Sequence, residues 1–554
     1  MTGRSLAPRR RQRVPDFRPE QKNGEPFLSP EVVAALMQAF PLIVPEIVLV
    51  LGACILFLGG TFRMDRHLWA VGSLATLTIA AVALAWSPRS ADTGASVYAA
   101  PVFVDHLALF IKWVALVGGA VLVFLSWNAI SDSVAGEFHG CLLLIVAGLS
   151  LTGAANELIT LFLALELISI PTYILLYLFR IDAPAQEAAL KYFLLSIFAS
   201  ALLLFGFSYL YGLAGTTNIP ALTDALAHAE PNTTDAVRLP AAVLMSLVMI
   251  VSGLGFKITA VPFHFYAPDV YQGTATPAAA LLAFVPKVAG FVALLRVLGF
   301  VGIDPAVSGM TCGKETPVFL WILAAFTMSL GNVLALLQTN LKRLLAYSSV
   351  AHAGYMLVGL AAAHYVNTSE GATGGIGGVP AVLFYLVAYG SMTVGAFAVL
   401  AYLSTPERPV ENEDDLAGLS RSHPGLALMM ALFLFSLIGI PLTAGFVGKL
   451  LLFLGALAVE GERAVFYRDL ALLMAVNAAI GAWYYLRIVT KMYLHTPIKP
   501  LEPAGLAHSW PVLTALWTCT ILTLGLGFPN PLTGRIIQVA SPSWSASPEA
   551  SAKR

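Results

Sequence analysis

The chain has 554 residues, of which 58% are hydrophobic and 11% charged, and its 31 basic and 31 acidic side chains cancel to a formal net charge of zero. A mean hydropathy of +0.80 excludes a water-soluble globular protein, and the balanced charge removes the basic footprint of a nucleic-acid binder. The class that remains is a polytopic membrane protein, all-α because its apolar runs show no trace of the ten-residue alternation of barrel strands.

Residues 1–36 differ from everything after them. Arg4, Arg9, Arg10, Arg11, Arg13, Arg18 and Lys22 come with several prolines and no apolar period, the composition of a disordered basic tail. No apolar core with a small-residue cleavage site follows directly, as a secretory signal requires. Met37 stands immediately before the first apolar run, so a misassigned start is the second reading. From there, spans of roughly 20 apolar residues number about fourteen, near 40–60, 68–87, 102–127, 138–155, 158–179, 187–213, 239–268, 277–301, 317–338, 341–362, 380–403, 426–457, 467–494 and 509–528, with a tail at 529–554.

Loops after odd-numbered spans carry Arg63, Arg66, Arg180, Lys342, Arg343, Arg408, Arg421, Lys491 and Lys499 near membrane ends, so the positive-inside rule puts the odd loops in the cytoplasm. Both ends of a fourteen-span chain then fall on the other face, where a basic tail is unfavourable.

The seventh and twelfth spans are too long for a bilayer core, at roughly 45 Å and 48 Å as straight helices. Pro262 interrupts one, and Gly439, Pro441 and Gly445 the other, so both are expected to be discontinuous near the membrane centre. With spans 1–3 (37–137) set apart, spans 4–8 (138–301) and 9–13 (317–494) form two units of five. Each broken helix is then the fourth of its unit, and the odd count turns the second unit upside down. Inverted repeats with matching broken helices mark an ion site at the midplane.

Glu166, Lys191, Lys257, Lys287 and Lys449 lie inside these oily stretches. A charge at the centre of a span costs roughly 2.5–3.5 kcal/mol on insertion scales, and charges kept there commonly mark an ion or proton route. Lys287 and Glu166 are about ten and eight residues into their spans, and Lys257 and Lys449 flank the breaks, where freed carbonyls can solvate an ammonium. Lys191 sits four residues after Glu187, so a surface ion pair at a helix start competes with a transport role. His352 could relay protons between spans, and a hydrogen-bonded interhelical histidine is its plainer reading. Glu46 opens the first span and suits a helix N-terminus, while Glu411, Glu413, Asp414 and Asp415 read as a solvated acidic loop.

No cofactor site is expected in the chain. Cys54, Cys141, Cys312 and Cys519 are scattered singly, which suits neither an iron–sulfur cluster nor zinc. No P-loop occurs, and the glycines of 371–378 follow no strand, so that run reads as a loop. The energy for moving an ion must come from outside: about 2.3 kcal/mol is needed per charge and 100 mV, and no fuel-binding motif is present.

Five segments carry a resemblance: EAALKYFLLSIFASALLLFGFSYLYGLAGTTN (187–218), FKITAVPFHFYAPDVYQGTATPAAALLAFVPKVAGF (256–291), LKRLLAYSSVAHAGYMLVGL (341–360), EDDLAGLSRSHP (413–424) and IPLTAGFVGKLLLF (440–453). In this order they resemble subunit N of bacterial NADH:quinone oxidoreductase, respiratory complex I, over nearly everything after residue 37. The resemblance implies fourteen helices with two inverted five-helix repeats in the bacterial inner membrane, and no cofactor in this subunit. NADH, FMN, iron–sulfur clusters and quinone would serve partner subunits, both the peripheral ones and the neighbouring antiporter-like membrane subunits. It assigns Glu166 and Lys257 to the carboxylate–lysine pair of the first half-channel, Lys287 to the connecting lysine and Lys449 to the second half, with Lys191 a further site. Lys449 points away from the relative that carries glutamate there, and the lack of a long C-terminal lateral helix points away from the largest one. The competing class is a subunit of a multi-subunit cation/proton antiporter, for which a Trp- and His-containing stretch with serines would be expected in place of HFYAPDVYQGTATPAAA. A purely structural membrane scaffold is the third.

Overall fold

In a bilayer the backbone of an apolar run has no hydrogen-bond partner but itself, so each run closes into a helix. The computed structural model describes residues 37–90, 100–179, 182–227, 241–298, 315–366, 378–404, 409–496 and 510–528. The basic segment 1–36, the tail 529–554 and the glycine run up to 377 lie outside them.

The spanning helices are α1 (Val44–Phe62), α2 (Arg66–Trp86), α3 (His106–Ser126), α4 (Ala135–Ala154), α5 (Leu158–Leu178), α6 (Ala183–Ala214), the pair α7a (Ala241–Ile258) and α7b (Ala267–Gly273), α8 (Thr276–Val297), α9 (Glu315–Leu336), α10 (Leu341–Val366), α11 (Val379–Leu403), the pair α12a (Pro424–Ile438) and α12b (Ala444–Leu457), α13 (Ala464–Leu494) and α14 (Trp510–Gly525). Twelve helices among the described residues are long and apolar enough to cross alone. The α12a–α12b pair and the shorter α14 bring the crossings to the fourteen read from the sequence. Polar residues set several starts. Asp65 accepts from the amides of His67 and Leu68, Asp105 from Ala108 and Asp182 from Ala185, each satisfying donors that a helix start leaves free.

Both long spans are broken, as their length demanded. The breaks run over 259–266 and 439–443, and each holds residues in the left-handed region: Thr259 (φ 58°) in the first, Gly439 (φ 94°) and Leu442 (φ 71°) in the second. A right-handed helix cannot continue through such a residue.

Two isolated backbone bridges sit at matching places. Glu157, just before α5, pairs with Asn218, and Asn340, just before α10, pairs with Asn412. Their flanking hydrogen bonds match too: Leu158 N to Thr217 O and Ile219 N to Asn156 O, against Leu341 N to Glu411 O and Glu413 N to Thr339 O. The first bridge joins even-numbered loops and the second odd-numbered ones, so they lie on opposite faces.

At the centre, α8 is buried along its whole length, and α10 and α11 nearly so. The backbones of α9 and α10 touch: a Cβ on Gly354 would come within 2.4 Å of the Met328 amide. Ion pairs close the ends. Lys491 meets Asp414 at 2.5 Å and Arg487 meets Glu413 on the odd-loop face, and Arg296 at the end of α8 grips both oxygens of Asp105 at 2.7 and 2.8 Å on the even-loop face.

Candidate functional site

Five of the six residues singled out from the sequence, Glu166, Lys257, Lys287, His352 and Lys449, lie along one polar row, and the helices that carry them explain why. Lys257 occupies the last turn of α7a, just before the first break, and is 6% exposed. Its ammonium donates to Ser169 Oγ of α5 at 2.7 Å. Ser169 is one turn after Glu166, a spacing that puts both on one helix face. Glu166 is half-buried and accepts from Ser200 of α6 at 2.5 Å. Lys257 thus meets this helix through a neutral hydroxyl, one turn from the carboxylate. Tyr173, one further turn along, donates to Ser196 at 2.8 Å.

Lys287 lies in the middle of α8 with no solvent exposure. Gly290, one turn later, is where α8 passes Lys257: a Cβ there would lie 3.3 Å from the Lys257 Cβ. The two lysines therefore flank one close approach of α7a and α8. On its other side Lys287 donates to the Ser349 carbonyl of α10 and stands 5.2 Å from the centroid of the Tyr389 ring, a cation–π distance. The Tyr389 hydroxyl donates to Ser349 Oγ at 2.8 Å.

His352 follows on α10, 1% exposed. Its Nδ1 is 2.6 Å from the Tyr385 hydroxyl of α11 and its Nε2 is 3.1 Å from the Tyr485 hydroxyl of α13, which also contacts Ser348. One turn on, Tyr355 presents its ring to Lys449, whose Nζ is 4.8 Å from the ring centroid. Lys449 itself, on α12b, donates to the carbonyls of Leu437 and Ile438 at 2.8 and 3.0 Å. These are the acceptors that the second break sets free at the end of α12a. Tyr355 also accepts from Asn332 of α9 at 2.9 Å, and Asn332 in turn accepts from Tyr484 at 3.0 Å.

Such a row suits proton movement. Hydroxyls both donate and accept, an imidazole can take a proton on one nitrogen and give one from the other, and an ammonium can release its own. Carbonyls and aromatic rings steady a charge in an apolar interior without locking it to a fixed counter-ion.

Lys191 stands apart. It binds Glu187 at 2.7 Å and Asp269 of α7b at 2.9 Å, Asp269 also binds Arg343 at 2.6 Å, and the Lys191 side chain is 38% exposed. The i,i+4 pair weighed from the sequence is present, within a cluster on the odd-loop face.

Sequence reasoning passed over the tyrosines and Asn332, since an aromatic or amide in an apolar run gives no sign of the partner it meets from a distant helix. It also passed over Lys112 and underweighted Glu46, which meet as a buried ion pair at 2.7 Å. The acidic loop is partly buried too: Glu413 is 5% exposed against Arg487. Among the described residues no group of three or more His, Cys, Asp or Glu could hold a metal ion.

Known proteins with the same pattern agree with this architecture. Residues 155–474 match the family described as NADH:quinone oxidoreductase/Mrp antiporter, TM. NADH-quinone oxidoreductase subunit N of Anaeromyxobacter sp. is 37% identical, covering 87% of this chain and 93% of the relative, and subunit N 2 of Rhizobium meliloti is 36% identical over 90% and 96%. Among solved structures, a chain of respiratory complex I from Thermus thermophilus with bound aureothin superposes with a TM-score of 0.70 at 29% identity, covering 90% of this chain and all of that one. A chain of the Mrp complex from Dietzia sp. shares the fold, with a TM-score of 0.73 at 20% identity. On these matches the chain belongs to the subunit N family of NADH-quinone oxidoreductase, the antiporter-like membrane subunits of respiratory complex I.

Proposed function

We propose that protons cross this subunit along the polar row from Glu166 through Ser169 and Lys257 to Lys287, and from there through Ser349, His352 and Tyr355 to Lys449. The chain is a multi-pass inner-membrane subunit of NADH:quinone oxidoreductase and works with the other subunits of that complex. The observation that carries the route is the chain of close approaches itself, in which a buried lysine at the first helix break and a half-buried one at the second are joined by hydroxyls and one histidine. The matching bridges at Glu157–Asn218 and Asn340–Asn412 support reading 138–301 and 317–494 as two inverted units with their breaks in equivalent positions. In this reading NADH, FMN, iron–sulfur clusters and quinone belong to partner subunits, and the electron transfer they carry out supplies the energy. Lys191 takes part from the odd-loop face, as one member of its ion-pair cluster.

Glu166 and Lys257 act in this scheme as one switch: the carboxylate sets the proton affinity of the lysine from one helical turn away. Glu166→Gln and Lys257→Ala should each impair proton pumping, and the double variant should do little more harm, because residues that work as a unit are non-additive. Glu166→Asp, which keeps the charge, should be milder. Proton translocation and NADH:quinone turnover in membrane vesicles, with assembly checked, decide the matter. Normal pumping by an assembled Lys257→Ala enzyme would refute the route, and fully additive losses would refute the coupling.

A further inference from the structure

Outside this row, α1, α3 and α4 enclose a second carboxylate and lysine. Glu46, in the first turn of α1, is 6% exposed, and Lys112, the seventh residue of α3, is 1% exposed. The Lys112 ammonium reaches both carboxylate oxygens, at 2.7 and 3.0 Å, and donates to the Leu42 carbonyl at 2.9 Å. Ser150 of α4 donates to Glu46 Oε1. Helices α3 and α8 run antiparallel, held at one end by Asp105 and Arg296 and further along by Gly118 against Phe284. Lys112 lies between those contacts, so its depth is close to that of Lys287. Toward the even-loop face the pair is capped by a small apolar cluster of its own, made of Leu42, Val102, Val104, Ala108 and Ala154. Asp105, just before α3, and Arg296 already satisfy each other.

Stability does not account for such a pair, since an apolar pair of similar volume generally packs as well or better. An ionisable pair within spanning helices points instead to ion or proton handling. We propose that Glu46 and Lys112 form a proton-holding site, separate from the row through Lys287, that exchanges with the even-loop face when the apolar cap opens. Uptake places one proton on the Glu46 carboxylate and releases the Lys112 ammonium from its ion pair, and loss of that proton restores the pair. This goes beyond the route proposed above and needs none of its members.

The test uses the intact complex in membrane vesicles. Dicyclohexylcarbodiimide adds only to a protonated carboxyl, and the resulting O-acylisourea rearranges to an N-acylurea or, once the Lys112 ammonium has given its proton to water through the opened cap, is attacked by the Lys112 amine, forming an amide with loss of dicyclohexylurea. Peptide mass spectrometry should find Glu46 modified during NADH turnover, as the acylurea or as the amide to Lys112. A Glu46 that stays unmodified during turnover overturns the proposal. The paired variant Glu46→Leu with Lys112→Leu removes both charges at once, and is read as protons moved per NADH oxidised. A loss in that ratio is expected, and an assembled paired variant with the wild-type ratio overturns the proposal. Lys257→Ala measured in parallel keeps the two readings distinct, because its effect on pumping reports the main route alone.

Discussion

Replacing Ser169 by alanine tests the first half of the proposed route at the hydroxyl that Lys257 contacts. The substitution removes one oxygen from a helix face and leaves a methyl group of nearly the same volume, so packing is hardly disturbed. What is lost is the hydroxyl that Lys257 reaches at 2.7 Å. A hydrogen bond with one charged partner contributes about 1.5–3 kcal/mol, against about 0.5–1.5 kcal/mol for a neutral pair. At about 1.4 kcal/mol per factor of ten, the charged bond corresponds to a rate loss of roughly 10- to 150-fold if the hydroxyl steadies the proton in transit. Ser196→Ala, which removes the neutral partner of Tyr173, serves as the control and should cost no more than about ten-fold by the same conversion. Ser169→Thr keeps a hydroxyl and should restore most of the pumping. Proton uptake by vesicles energised with NADH, normalised to the amount of assembled complex, gives the comparison. Equal pumping by assembled Ser169→Ala and wild-type enzymes would mean that the hydroxyl carries nothing, and the link between Glu166 and Lys257 would have to run elsewhere.

Three further outcomes follow from the geometry. Lys191→Met removes a half-exposed partner of Glu187 and Asp269, and since exposed pairs contribute about 0–1 kcal/mol, pumping should fall by less than about five-fold, with a weaker dependence on salt; a total loss would place Lys191 on the route itself. Gly445→Val should prevent assembly, measured as complex recovered from membranes, because even a Cβ at this position would sit 1.8 Å from the Ser436 carbonyl across the second break. Burial raises the Glu157 carboxyl above its ordinary value at the start of α5. A folded-state value above the unfolded one means that its contribution to stability is fully present below the unfolded value and is lost as pH rises through the folded one. Glu157→Gln should therefore raise the thermal unfolding temperature at neutral pH and give no advantage in acid, and an equal shift at both pH values would show that the carboxyl's titration is not involved.

The breaks in spans 7 and 12 were legible because they rest on local chemistry: each run exceeded a bilayer crossing and held Pro262 or Gly439, Pro441 and Gly445. The lysines at Lys257, Lys287 and Lys449 were legible for a similar reason, being lone charges in apolar surroundings. Their partners were not. Ser169 and Lys257 are 88 residues apart, and His352 and Tyr485 are 133 apart, and no local pattern reports which faces of distant helices meet. Lys112 carried the same signal as Lys287, a basic residue about ten residues into an apolar run, and was passed over all the same. Glu46 in the first turn of a helix satisfied a simpler electrostatic rule, which hid its role as the counter-ion of Lys112.

The two bridges fix a register between the halves that the sequence alone does not reveal. Counting from Glu157 and from Asn340, the ninth residue on is Glu166 in one unit and Ser349 in the other, and the twelfth is Ser169 in one and His352 in the other. Under the proposed route, positions in the same register carry different chemistry. Ser169 receives the lysine of the first break, and His352 stands in its place one turn before Tyr355, which faces the lysine of the second break. The carboxylate position of the first unit becomes Ser349, whose carbonyl receives Lys287. With Lys287 in the first proposed unit and Ser349 in the second, this contact would join the halves without a fixed negative charge. A carboxylate there would hold the ammonium in a buried ion pair, and removing a proton from such a pair would strand an uncompensated charge. A carbonyl and the Tyr389 ring lower the cost of the charged lysine while leaving it free to give its proton onward. The backbone contact of α9 with α10 at Gly354 leaves α10 little room to shift, so on the proposed route a proton passing from one half to the other would depend on the side chains of Lys287, His352 and the tyrosines around them.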